Sequence, residues 1–472
     1  MSRNSLYPDL IRDINMKKND VQYYADQGIF ISLDEYGVRD CPNIKAALEE
    51  FPTMAEALEC SDGKFYVLPE VNNAIHNTYR GGRLHYYMPW FRDNDIAVPQ
   101  TLDEFTEYLR WVKTSDANGN GKPNEIPLAF WKDESIVRNT ISALAKPFMP
   151  WVMTDTYWGL AVEDGVVTEQ YRDERFRDAL RYMNMLYKEG LIMENSFSIS
   201  QDELRAIGES EEGPAIAVIG AFGADGHVQR GGPRWAESFF IMPPLEGANG
   251  DKWAPNKDPW NMFIPGLMVT DNCADPALAV ALYNYMVGFE VSMDGYIAPK
   301  GIGWDDLDSD GISLRGDGAK YKLLVNWGTQ PENSGWNQNN PMMRNSDFRL
   351  GEQAQDFETA EEWLETGNPD LLEQVYSNPS FNEIANYKTA SGLMEWAIPD
   401  EYFIPPMALS PEDNARVADI NAVLDPFKLQ AFSEFITGAR DIESGWDAYL
   451  AELDGMGSTE MVEIMQKYYD GR

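Results

Sequence analysis

Short, continuously apolar runs alternate along the chain with stretches whose apolar residues recur every three or four positions, the pattern of an α/β protein. The best-marked helix opens at Thr101, where Glu104 completes a capping box and Phe105, Leu109 and Val112 share one face. A second is predicted over RFRDALRYMNMLYKEG, with Phe176, Leu180, Met183 and Tyr187 at helical spacing. Gly190 ends it, because glycine tolerates the left-handed conformation past a helix end. Strands are predicted at FYVLP (65–69), AIAVIG (215–220), FFIMPP (239–244) and GLMVT (266–270). The runs at 215–220 and 266–270 are apolar throughout, as buried strands of a parallel sheet are. A helix follows the last of them, from Asp275-Pro276 through ALAVALYNYMVGF.

The pattern changes over about 304–395, which is rich in Asn, Gly, Asp and Trp and contains DFETAEEWLE as a short acidic helix. The last long helix is predicted from Ser410-Pro411, a cap followed by a first-turn proline, to Gly438. Pro426 lies inside it and is expected to kink or divide it. No repeat or low-complexity linker separates domains, so two lobes sharing crossing strands are expected.

Composition narrows the function. Of 472 residues, 43% are hydrophobic and 12% aromatic, with 14 Trp, which excludes a disordered chain. The 38 basic residues face 77 acidic ones, a net charge of −39 that disfavours nucleic acid and anionic lipid as partners. No run reaches the about 18 apolar residues of a membrane span, and MSRNSLYPDLIRDINMKKND lacks the apolar centre of a signal peptide. Cys41, Cys60 and Cys273 are far apart, and His76, His85 and His227 are too few for a histidine-based metal centre. Neither Walker A nor GxSxG occurs, and GAFGADG (220–226) is not GxGxxG.

One stretch carries definite chemistry. In DANGNGKPNE (116–125), Asp116, Asn118 and Asn120 occupy positions 1, 3 and 5 of a cation-wrapping loop. Gly121 at position 6 permits the turn, Lys122 at 7 offers its carbonyl, Asn124 stands at 9 and Glu125 follows. Position 12 is Pro127, so the loop departs from the EF-hand in lacking the late carboxylate. With all donors oxygen and two carboxylates, the set suits a structural Ca²⁺ of modest affinity better than Mg²⁺ or Zn²⁺.

With that loop, several stretches in order resemble the extracellular solute-binding proteins of carbohydrate ABC importers (solute-binding family 1), nearest to the large lipoprotein and alginate-oligosaccharide-binding types. They are YPDLI (7–11), YYADQGIFISLDEY (23–36), PNIKAALEEFP (42–52), DGKFYVLP (62–69) and VPQTLDEF (98–105). DANGNGKPNEIPL (116–128), MLYKEGLI (185–192), CADPALAVALYNYM (273–286) and FITGARDIESGWDAYLAELDGMG (435–457) complete the set. The resemblance implies a two-lobed, type II periplasmic-binding-protein-like α/β fold with hinge-linked lobes, a discontinuous chain and a helical C-terminal region. It divides the chain into 1–82 (first lobe), 83–250 (second lobe with the calcium loop), 251–330 (first lobe) and 331–472 (second lobe and C-terminal helices). It further implies Ca²⁺ held by Asp116, Asn118, Asn120, Lys122, Asn124 and Glu125, where Asn124 replaces a common Asp. Family members carry a signal peptide, often a lipobox cysteine, and further N-terminal strands. The first-lobe sheet is therefore expected to lack its first strands and to leave an apolar edge.

The function implied is that of a non-enzymatic, extracytoplasmic substrate-binding component, periplasmic or a surface lipoprotein. It is a monomer that clamps an oligosaccharide between its lobes and delivers it to ABC permease subunits. A sugar cleft needs flat aromatic faces and polar side chains. The candidates are Trp90, Trp131, Trp260, Trp327 and Trp336, with Arg80 for an acidic sugar, while Trp111, Trp363 and Trp446 lie in helices and read as packing residues. Two alternatives stay open: a calcium-stabilised lyase or glycosidase, and a surface glycan-binding protein without a transporter.

Overall fold

The structure is a computed structural model, and it describes every residue except 1–6, 13–15, 17, 74–81, 133–135, 154–158, 257–258, 261–262, 328, 330–342, 345 and 472. Its strands in chain order are β1 (Leu10–Ile11), β2 (Val67–Asn72), β3 (Leu84–Tyr86), β4 (Ile126–Ala129), β5 (Leu160–Glu163) and β6 (Val166–Glu169). They continue with β7 (Ile216–Gly220), β8 (Phe240–Ile241), β9 (Phe263–Val269), β10 (Trp304–Asp305), β11 (Lys322–Leu323) and β12 (Met343–Arg344). Two mixed four-stranded sheets dominate, in the orders β1-β9-β2-β12 and β4-β7-β3-β8.

Each sheet anchors its own core. The first gathers side chains from Val21 to Val71, from Phe263 to Val287, and Met343. The second runs from Leu84 to Leu245, joined by Leu314, and from Ala360 to Met465. A smaller cluster of Met293, Ile297, Trp304, Tyr321, Leu323, Trp327 and Phe348 lies between these segments in sequence. The chain thus leaves the first sheet after β2, returns to it at β9 after β8, and leaves again after β12.

Local sequence explains the helices that carry these sheets. Thr101 and Glu104 form the reciprocal capping box of the Leu102–Thr114 helix, whose buried face includes Phe105, Leu109 and Val112. Asp173 caps Glu174–Lys188, and Gly190 after it has φ +66°. Asp275 caps Pro276–Met286 through the Leu278 N–H. That helix contains no charged residue, and Leu278, Leu282 and Tyr285 on its outward face are 63%, 50% and 68% exposed.

Three expectations need correction. Strand β9 lies between β1 and β2 and pairs antiparallel with both, not in a parallel sheet. A continuous apolar run reports burial on both faces and says nothing about neighbour direction. The first-sheet strand occupies Val67–Asn72, later than 65–69, because Glu70 is buried with Arg12 2.9 Å away instead of ending the strand. Pro426 does not divide the last long helix, which runs unbroken from Pro411 to Thr437. Val417, Ile420 and Leu424 before the proline and Ala431, Phe432 and Phe435 after it enter one core, and that burial outweighs the missing N–H.

Candidate functional site

Strands β4 and β7 are parallel neighbours, with Ala129 opposite Ile219, so their carboxyl ends reach the same edge of the second sheet. Trp131 follows the end of β4, and Phe222 follows the end of β7. The loop after β7 folds against the indole: a Cβ at Gly226 would stand 2.9 Å from the Trp131 ring. Strand β3 is antiparallel to β7, which brings Arg83, at the start of β3, to the same edge. Its guanidinium donates to the Phe222 carbonyl at 2.9 Å and lies 5.0 Å from the Phe222 ring centroid. Arg83 is also the residue before β3, which follows β2 of the first sheet in sequence. Phe222 is 41% exposed, an unusual position for a large aromatic beside a guanidinium.

Residues after Phe222 reach the small cluster that holds Trp327. Arg230 pairs with Asp225 at 3.0 Å and donates to the Trp327 carbonyl at 2.8 Å. Open α/β sheets bind ligands outside the carboxyl ends of their strands, where crossovers diverge. A recess is lined by Gly82, Arg83 and Leu84 at the start of β3 and by Ile241 to Leu245, Trp253 and Pro255 at and after the end of β8. Lys146 also lines it, held by the Ser142 hydroxyl at 2.6 Å, and burial brings its ammonium down to about 7.

The six candidate side chains are not alike. Trp131 is partly buried at the sheet edge, and Trp260 is partly buried against both the first core and a cluster of Val152, Ala161, Ile398 and Phe403. Trp90 and Trp327 are corrected to core positions, 3% and 2% exposed. Trp90 lies in the short Met88–Arg92 helix, edge-on to Tyr87 at 5.6 Å. Trp327 is covered by the Arg349 guanidinium at 4.0 Å and donates its indole N–H to Glu352 at 3.1 Å. Trp336 and Arg80 lie outside the described residues. Trp363 and Trp446 are buried and Trp111 partly so, as packing residues should be.

The edge is also electrostatically constrained. His85 is lowered to about 3 by burial and by the neighbouring Arg83 and His227 charges, and His227 to about 4 by burial, so both rings are neutral at ordinary pH.

The loop between the Leu102–Thr114 helix and β4 closes on itself through its side-chain oxygens. Asp116 Oδ2 accepts from the Gly121 N–H at 3.0 Å, Asn118 Oδ1 from Asn120 at 3.0 Å, and Asn120 Oδ1 from Lys122 at 2.8 Å. Asn124 Oδ1 is 3.3 Å from the Asn118 amide and 3.2 Å from that of Asn120, so three amides converge. Glu125 is buried, its two oxygens accepting from the Asn118 and Asn124 N–H groups. Gly121 has φ +77°, the conformation expected at position 6. Among the described residues no three His, Cys, Asp or Glu side chains form a metal cluster. The loop offers instead two carboxylates with amide and carbonyl oxygens, a donor set that fits a hard cation such as Ca²⁺. It is also tied to the approach to β7: Asn118 donates to the Pro214 carbonyl at 3.1 Å, and Lys122 pairs with Glu212 at 2.7 Å.

No protein-family profile matches the chain. It is homologous to the fructooligosaccharide ABC transporter substrate-binding protein FusA of Streptococcus pneumoniae, 22% identical over 482 aligned residues that cover 98% of this chain and 80% of FusA. The solved FusA–kestose complex superposes with a TM-score of 0.74 at 19% identity, covering 98% and 88% of the two chains. A FusA EF-hand mutant with fructo-nystose gives 0.73 at 19% identity and the same coverage. The alginate-binding protein AlgQ2, solved without calcium ion, gives 0.65 at 17% identity, covering 98% and 86%. At these identities the structural likeness establishes the fold, that of two-lobed solute-binding proteins.

Proposed function

We propose that this chain, a homologue of the substrate-binding proteins of carbohydrate ABC transporters, is itself the binding component of a carbohydrate importer. The observation that carries the reading is end-to-end: 98% of the chain aligns with FusA in sequence and in fold. The oligosaccharide lies between the carboxyl edge of the second sheet, with Phe222, Trp131 and Trp260, and the facing first lobe. Ring faces stack on the aromatic side chains, and closure about the crossing strands excludes water from the sugar hydroxyls. Closure is driven by the contacts the ligand makes in the closed state alone. No bond is made or broken, and the loaded form docks on the permease outside the cytoplasm as a monomer. No helix of the described residues is long and apolar enough to cross a membrane, so the permease supplies the membrane passage. In this reading the chain changes lobe near residues 82 and 250 and again after β12, since Met343 packs in the first core.

The loop from Asp116 to Glu125 holds a structural Ca²⁺ in this reading. Asp116, Asn118, Asn120, Asn124 and Glu125 supply side-chain oxygens and Lys122 its carbonyl. The cation would neutralise the two carboxylates and fix the loop against the segment entering β7.

A thermal-shift screen against neutral and acidic oligosaccharides, with and without Ca²⁺, tests the proposal, and product analysis after prolonged incubation is its second arm. A melting-temperature rise with intact sugar supports it. Cleavage of the sugar would replace it with a carbohydrate-active enzyme.

A further inference from the structure

The first lobe's half of the cleft is set by two residues on neighbouring strands. Strands β12 and β2 are parallel, and their last residues, Arg344 and Asn72, are register partners. The Asn73 N–H donates to the Arg344 carbonyl at 2.8 Å. The pair therefore stands at the carboxyl edge of two parallel strands, where open α/β sheets bind ligands.

Both side chains hold a polar atom that is buried and has no hydrogen-bond partner among the described residues: Arg344 Nε and Asn72 Oδ1. Such atoms are rare in native folds, because an unmade bond leaves the desolvation of the group uncompensated. Here one is a donor and the other an acceptor, on register partners of neighbouring strands. The Arg344 guanidinium lies 5.0 Å from the Tyr296 ring centroid, which fixes its plane.

Resting on the importer reading above, we propose that Arg344 and Asn72 bind neighbouring hydroxyls of one neutral sugar ring. The guanidinium donates to one hydroxyl oxygen, and the Asn72 carbonyl oxygen accepts the proton of the next. Neighbouring strands lie about 4.8 Å apart, a span that one pyranose or furanose ring bridges. A carboxylate is a poor fit, since it accepts only and would meet the Asn72 oxygen.

Calorimetric titration of the whole chain with kestose, maltotriose, cellotriose and trimannuronate tests this, using wild type, Asn72→Ala and Arg344→Lys. The expected result is binding of at least one neutral trisaccharide, weakened at least tenfold in both variants, with unchanged sugar-free melting temperatures. Unchanged affinity in both variants overturns the pair while leaving the importer reading intact. Preferential binding of trimannuronate overturns the neutral class. Loss of sugar-free stability in both variants shows a structural pair and also overturns it. A wild type that binds none of the four sugars removes the inference together with the reading it rests on.

Discussion

Replacing Glu352 by Gln should stabilise this protein, and increasingly so as pH rises. Glu352 is 0% exposed and accepts the Trp327 indole N–H, while its neighbour Glu383, also 0% exposed, holds the Arg349 guanidinium at 2.7 Å through Nε. Glu352 thus lies near a second buried carboxylate, and the guanidinium is bonded to Glu383. Burial and the Glu383 charge raise the Glu352 carboxyl well above its usual range, although the Ser380 and Trp327 hydrogen bonds and Arg349 pull the other way. A raised acid binds its proton more tightly folded than unfolded. Its contribution is therefore fully present below the unfolded carboxylate value and lost as pH rises towards the folded one. Within that window the loss accrues at no more than about 1.4 kcal/mol per pH unit. Gln keeps the shape and the acceptor for Trp327 but has no proton to lose. Urea unfolding of wild type and E352Q at pH 5, 6, 7 and 8 isolates this group from the other acids, because only the difference counts. The two should nearly coincide at pH 5 and diverge at higher pH. Parallel curves would show that Glu352 titrates as an ordinary carboxylate and would sink the reasoning.

Other outcomes follow from the same geometry. Asp116→Ala should abolish any melting-temperature rise with Ca²⁺; a wild type unmoved by EDTA would refute the cation loop. Phe222→Ala should weaken sugar binding about tenfold, the scale of one lost aromatic stacking contact, with little change in sugar-free stability; equal affinity would remove Phe222 from the site. His85 and His227, at about 3 and about 4, should show no imidazole titration by NMR between pH 5 and 8. Their folded values lie below the unfolded one, so stability should fall as pH drops below about 6.5, and replacing either by Asn should blunt that fall.

The elements were legible wherever a local rule decided them. The Thr101–Glu104 box, the Asp275-Pro276 start and the glycine at 190 are interactions within a few residues, and each helix begins or ends where they place it. The cation loop was legible for the same reason: its donors lie within ten consecutive positions. What escaped depends on partners far away in sequence. Trp327 looks like a loop tryptophan until Arg349 and Glu352 cover it, and Trp90 until a short helix turns it inward against Tyr87. Phe222 carries a fainter signal than any tryptophan, that of a lone aromatic in a glycine-rich turn after an apolar strand. Arg344 and Asn72 gave none, since only the β12–β2 pairing brings them together.

That pairing also sets a clock on biogenesis. The first-lobe sheet contains β2 but lacks its outer partner until β12, the last strand among the described residues, has been made. At about 5–20 residues per second, synthesis leaves the β2 edge open for on the order of 10 to 60 s. Throughout that interval Val67, Leu68 and Val71, buried in the finished protein, belong to a sheet that cannot yet close. The nascent chain is therefore a client for whatever holds apolar strands apart during synthesis, and its yield should depend on that holding as much as on the stability of the finished lobes.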